Sequence, residues 1–241
     1  MVSKQPLAAY EDHQFAREAR EVSSPTFVAH VRYASTGGLS PENTHPFEQR
    51  GRLLAHNGVI EGLDRLEREV GDAMELVHGE TDSERYFALI TKEIERDGDV
   101  GGAIVRAAGW IADHLPVFAL NIVLITPTDL WALRYPDVHE LFVLERAAGG
   151  PTGTRHLEHA SARGSVRVRA GDLAARPAVV VASERMDEDA GWRALEPGEL
   201  LHIDPDLQVT ITRALERPPR RQLTLSDLTG KAATSQAEQH G

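Results

Sequence analysis

The chain has 241 residues, 41% of them hydrophobic and 26% charged, and a formal net charge of −11. That composition belongs to a folded globular protein large enough to bury about 70% of its surface, and it argues against wholesale disorder and a membrane-spanning architecture. The acidic balance repels phosphate, which excludes nucleic-acid binding by bulk charge, and the lack of any cysteine removes disulfides, thiolate metal sites and a cysteine nucleophile.

Taken from the N-terminus, MVSKQPLAAYEDH has no continuous apolar run of the secretory kind, so a cytoplasmic location is expected. Residues 12–22 space Phe15, Ala16, Ala19 and Val22 for a short helix that Ser23, Ser24 and Pro25 stop. Residues 26–32 are rich in β-formers and predict a strand that delivers Arg32 at its end. YASTGGLSPENTHP, at 33–46, is all turn chemistry and predicts a long loop. Residues 52–56 predict a strand that Asn57 and Gly58 close as a turn pair, and 63–70 predict a helix. Thr81 caps a further helix, with Glu84 three residues on and Phe87, Ile90 and Ile94 as its buried stripe. Another helix spans about 102–114, before Pro116.

The remainder is mainly β. Strands are predicted at 119–125, 130–135, 141–146, 178–182, 200–203 and 209–214, with an exposed hairpin or loop excursion at 149–164. The apolar run at 117–125 is interrupted by Asn121 and is far too short to cross a bilayer. Strands, then helices, then strands fit layered α+β packing rather than regular βαβ alternation. Residues 1–215 form one domain on this reading, and the polar, proline-bearing tail at 216–241 is expected to be mobile.

Three segments are denser in polar residues than loops require: HVRYASTGG (30–38), the pair NTHPF and AHNG (43–58), and GETDSE (79–84). An arginine ending a buried strand suits a carboxylate, since its planar fork binds one bidentately, which makes Arg32 a carboxylate clamp. Asp82 at a helix start can accept from an ammonium group. One cation and one carboxylate are what a free amino acid's zwitterion requires. Asn57 and Gly58 offer a side-chain amide and an open backbone N–H side by side, the donor pair of an oxyanion hole for acyl transfer.

Each residue also has a purely structural reading. Asn-Gly is a common turn, Arg32 a common ion-pair partner and Asp82 a common helix cap. His30, His45, His56 and His78 raise the question of a metal, yet none makes a ligand-spaced pair, and no metal site is expected. His30 reads as a hydrogen-bonded core histidine and His45 as a loop-shaping one, while WALRYP reads as sheet packing.

The ordered set HVRYASTGG, NTHPF, AHNG and GETDSE resembles the class II glutamine amidotransferases of the N-terminal nucleophile (Ntn) hydrolase superfamily. NIVLIT, WALRYP, VVVASE and GWRALEPGELLHID are similar to the downstream strands of stand-alone bacterial members, so the resemblance covers about residues 8–210. It implies a four-layer αββα sandwich of antiparallel sheets. It implies that Arg32 binds the glutamine α-carboxylate and Asp82 its α-amino group, that Asn57 and Gly58 form the oxyanion hole, and that Ser35 contacts substrate. The family reaction passes through a γ-glutamyl thioester and releases ammonia from the glutamine side chain. No cofactor is implied, and the partners are glutamine or a γ-glutamyl amide and a separate ammonia-accepting enzyme.

One departure stands out. The family's nucleophile is an N-terminal cysteine, followed by a strand and an Asn-x-Asp-Gly-type loop, and this sequence carries neither; Val2 has no nucleophilic group and Ser3 lies one residue too far in. The fold is therefore expected to be incomplete at its N-terminus, through a start codon placed too late or a truncation, with unpaired strand edges and marginal stability. The chain as written is expected to be inactive. Two alternatives stay open, a non-catalytic glutamine- or partner-binding module and a γ-glutamyl amide hydrolase.

Overall fold

The structure, a computed structural model, describes residues 40–153, 157–160 and 167–237, together with residues 2, 4, 24, 26–30 and 38. The helix expected at 12–22 and the site residues Arg32 and Ser35 lie outside the described residues. Residues 26–30 carry no strand, contrary to the expectation for 26–32, and Phe27 there is 60% exposed.

The large sheet begins with a hairpin of β1 (Phe47–Gln49) and β2 (Arg52–Ile60). Arg50 and Gly51 both take positive φ, 51° and 73°, which is what a two-residue turn between right-twisted strands demands. The Arg50 side chain lies between Glu75 and Glu95, 3.0 Å from each. From β2 the sheet continues antiparallel through β3 (Pro116–Ile125), β4 (Leu130–Leu133), β10 (Glu199–Ile203) and β11 (Val209–Arg213). A smaller antiparallel sheet sets β5 (Phe142–Arg146) between β8 (Ala178–Ala182) and β9 (Arg193–Ala194). The excursion after residue 149 is a hairpin of β6 (Leu157–Ala160) with β7 (Arg167–Ala170).

Three helices cover one face of the large sheet: α1 (Leu63–Val70), α2 (Asp82–Asp97) and α3 (Val100–His114). Their apolar stripes meet Leu54, Val117, Leu120, Ile122 and Leu124 of β2 and β3 in the main core, with Tyr86, Phe87, Ile90, Ile104 and Ile111 fully buried. Alternation along the strands turns the intervening residues to the other face. There Val123, Ala132, Leu201 and Ile203 pack against Val143, Val179 and Val181 of the smaller sheet. The fold is α+β with antiparallel sheets, and its described layers run helix, sheet, sheet.

Two expectations are corrected. Asn57 and Gly58 do not close a strand: β2 runs on to Ile60, pairing Asn57 with Asn121 and Gly58 with Leu120. The partner strand overrides the local turn preference of Asn-Gly, because a ladder of eight paired residues outweighs one dipeptide's bias. Nor is 216–237 a loose tail. Arg221 and Gln222 form β12, a parallel partner for the part of β3 that β4 does not reach, and Leu223 N–H donates to Val117 O at 2.7 Å. A final helix α4 (Gly230–Ala237) follows. Leu228, Ala232 and Ala233 pack on Val59, Phe118 and Ala119, and Gln236 is buried with its Oε1 2.6 Å from His139 Nε2. Small residues in 223–237 leave no periodic pattern to read, so the docking exists only in the tertiary structure.

Candidate glutamine site

Asp82 is the first residue of α2 and is 2% exposed. Its Oδ2 accepts the backbone N–H of Ile60 at 2.9 Å, so the helix start is joined to β2 two residues beyond Gly58. The helix itself starts as expected, with Thr81 Oγ1 accepting from Glu84 N at 3.2 Å. Glu84 does not reach back to Thr81. Its carboxylate accepts instead from His78 N at 3.1 Å and Gly79 N at 2.6 Å, which fixes the approach to the helix.

The NTHPF and GETDSE segments interlock. Asn43 Oδ1 accepts from Glu80 N at 2.8 Å, and its Nδ2 donates to Gly38 O at 3.1 Å. A Cβ at Gly79 would lie 2.5 Å from Asn43 Oδ1, so only glycine permits this approach. His45 precedes a cis proline bond, and its ring lies 4.2 Å from that of His30 and 4.7 Å from that of Phe47. Among the described residues no group of three or more histidine or acidic side chains is placed to hold a metal ion.

Asn57 and Gly58 sit in β2, both half-buried. At Gly58 a Cβ would come within 1.8 Å of Ala119 O and 2.9 Å of His56 Nε2, so no other residue fits. His56 is 3% exposed. Its Nε2 faces Ala119 O at 3.2 Å and its Nδ1 faces Ser83 Oγ at 2.9 Å. Burial pushes its pKa below the ordinary value of 6.5, against the opposing pull of the Asp82 carboxylate. Opposite Asn57, Asn121 donates from Nδ2 to His139 O at 3.2 Å and accepts at Oδ1 from Tyr135 N at 2.8 Å. The structure therefore gathers Asp82, Asn57 and Gly58 at one end of β2.

Residues 2–225 match the sequence pattern of the family described as Glutamine amidotransferases class-II. The chain belongs to the class-II glutamine amidotransferases. Among curated members of the family, it is 32% identical over 92 residues to glutamine–fructose-6-phosphate aminotransferase of Escherichia coli, covering 38% of this chain and 15% of that one. It is 30% identical over 112 residues to amidophosphoribosyltransferase of Methanocaldococcus jannaschii, covering 44% and 24%. The chain thus spans a quarter or less of each of these two relatives. A class-II glutamine aminotransferase domain protein from Silicibacter pomeroyi shares the fold, with a TM-score of 0.61 at 21% identity over 91% of this chain and 86% of that one.

Sequence reasoning alone singles out Asp82, Asn57 and Gly58 as candidates in this family member, and the structure brings them to one strand. Ser83, the Ala119 carbonyl and Asn121 escape it. A serine in a helix's first turn and a backbone oxygen in mid-strand carry no signal until the register of β2 on β3 is known. Among the described residues no helix is long and apolar enough to cross a membrane.

Proposed function

We propose that the chain provides the glutamine-binding half of a class-II amidotransferase site. In this reading Arg32 pairs with the substrate α-carboxylate, Asp82 accepts from its ammonium group, and Ser35 lies beside it. The Asn57 amide and the Gly58 N–H receive the oxygen of the side-chain amide, where negative charge develops when that carbon becomes tetrahedral. The observation that carries the reading is the bond from Ile60 N–H to Asp82 Oδ2, which brings Asp82 to the same strand end as Asn57 and Gly58. A carboxylate at a buried helix start is stabilised by the helix dipole and, in a low local dielectric, attracts an ammonium more strongly than in water.

Thiolate attack on the amide needs a cysteine that these 241 residues do not contain. We expect the chain by itself to bind glutamine and release no ammonia. That lack is also what favours the second reading, a glutamine-binding module without catalysis. In the first reading any ammonia goes to a separate acceptor enzyme, and a γ-glutamyl amide substrate would use the same residues.

The test is titration of the folded chain with L-glutamine, alongside Arg32→Ala and Asp82→Asn. Binding that either substitution weakens at least tenfold supports the site. No binding by the folded unsubstituted chain refutes it. A form led by a family-type cysteine segment then separates the two readings, since glutaminase activity there belongs only to the first.

A further inference from the structure

We infer that His56 is a positioning residue that ties the two ends of this site together, holding the Gly58 backbone against β3 through one ring nitrogen and the Asp82 end of α2 through the other. The inference rests on the glutamine site proposed above.

A carbonyl oxygen can only accept, so the 3.2 Å contact with Ala119 O requires the proton on Nε2. Nδ1 is then bare in the neutral ring, and the 2.9 Å contact with Ser83 Oγ is a hydroxyl donating to it. One tautomer satisfies both contacts. Ser83 follows Asp82 directly in the first turn of α2, so whatever holds Ser83 sets where the Asp82 carboxylate lies. On the strand side, Ala119 O, His56 Nε2 and the α-carbon of Gly58 crowd one point, as the 1.8 Å and 2.9 Å approaches of a hypothetical Cβ show. The imidazole therefore fixes the carbonyl that the Gly58 backbone rests against. In this inference His56 acts through Ser83 and the Ala119 carbonyl, keeping the two ends a set distance apart.

A merely structural histidine would weaken every ligand alike. A positioning one gives variants that split. L-Norvaline has glutamine's carbon skeleton without the side-chain amide, so its affinity reports the Arg32–Asp82 end and the preference for glutamine over norvaline reports the Asn57–Gly58 end. In His56→Asn the carboxamide oxygen can still accept from Ser83 while the link to Ala119 is lost. Norvaline affinity should stay within about twofold and the glutamine preference should fall about fivefold, the scale of one hydrogen bond. In His56→Gln the longer amide can still donate to Ala119 O, so the preference should hold while both affinities fall about fivefold. Ser83→Ala should behave like His56→Gln.

Parallel losses for both ligands in all three variants, or no loss in any, would overturn the inference while leaving the glutamine site standing. Failure of the unsubstituted chain to bind either ligand refutes the site and this inference with it. If the histidine variants do not fold, the ring ¹⁵N shifts of the unsubstituted protein decide, and an unchanged affinity in Ser83→Ala also overturns the inference. A neutral ring protonated on Nε2 is the expected result, and a proton on Nδ1 at neutral pH overturns it.

Discussion

The two faces of β3 are built on different principles. Toward the helices, Val117, Leu120, Ile122 and Leu124 meet the buried stripes of α2 and α3 in one continuous apolar core. Toward the smaller sheet, apolar clusters are interrupted by a buried polar chain: Asn121 bonds His139 O and Tyr135 N, Arg134 donates to His139 O and Leu195 O, and His139 meets Gln236. Apolar burial is non-directional and scales with area, whereas each buried polar group is worth little net but costs much if its partner is removed. The first face thus supplies stability, and the second fixes where individual atoms lie. Asp82, Asn57 and Gly58, the residues of the proposed glutamine site, lie at the junction of the two.

The largest expected effect lies at that junction. Gly58→Ala forces a methyl group into the Ala119 carbonyl and should cost about 4 kcal/mol, read as a lower denaturant midpoint. A loss under 1 kcal/mol would mean that β2 and β3 can slide apart there. Two adjacent residues of β3 then compare its faces directly. Leu120→Ala opens a cavity in the main core and should cost about 3 kcal/mol. Asn121→Ala strands the Tyr135 N–H and should cost about 2 kcal/mol. If the asparagine proves the costlier of the two, the contrast between the faces is wrong.

How much of this was legible beforehand follows from the same contrast. Helices α1 to α3 and strands β3, β4, β5, β8, β10 and β11 are visible because apolar residues recur at the period of each element. The extension of β2 through Asn57 and Gly58 is not, since a dipeptide typical of turns becomes strand only through pairing with Asn121 and Leu120. Asp82 is readable from a helix start, but its carboxylate on Ile60 N–H is a contact across 22 residues that no local pattern encodes. The polar chain behind β3 is equally hidden, because Gln236 and His139 lie 97 residues apart.

The smaller predictions sharpen the junction. His56 is held neutral below its ordinary pKa of 6.5, so as the pH falls past that value the unfolded chain takes up a proton there before the folded one does. Stability should drop as pH falls below 6.5, by up to about 1.4 kcal/mol per unit from this group, until the folded histidine itself protonates. Melting from pH 7 to 5 should therefore be steeper for the unsubstituted protein than for His56→Gln, and identical slopes would remove His56 as the source. The smallest effect has the opposite sign. Tyr86 is fully buried with its hydroxyl hydrogen-bonded to nothing among the described residues, so Tyr86→Phe should leave the fold unchanged or stabilise it by about 1 kcal/mol. A clear destabilisation would reveal a buried water at that oxygen.

The seat of β12 and α4 on β3 also has a consequence for biosynthesis. Residues 221–237 follow every other described element in the chain, and a ribosome delivers residues in order. Leu228 and Gln236 reach Val59, Phe118 and His139 only after the sheets and helices they cover have emerged. Nascent chains stalled short of residue 221 would therefore lack the β12 and α4 cover on this face, and the polar chain through His139 would meet Gln236 only once that residue had emerged.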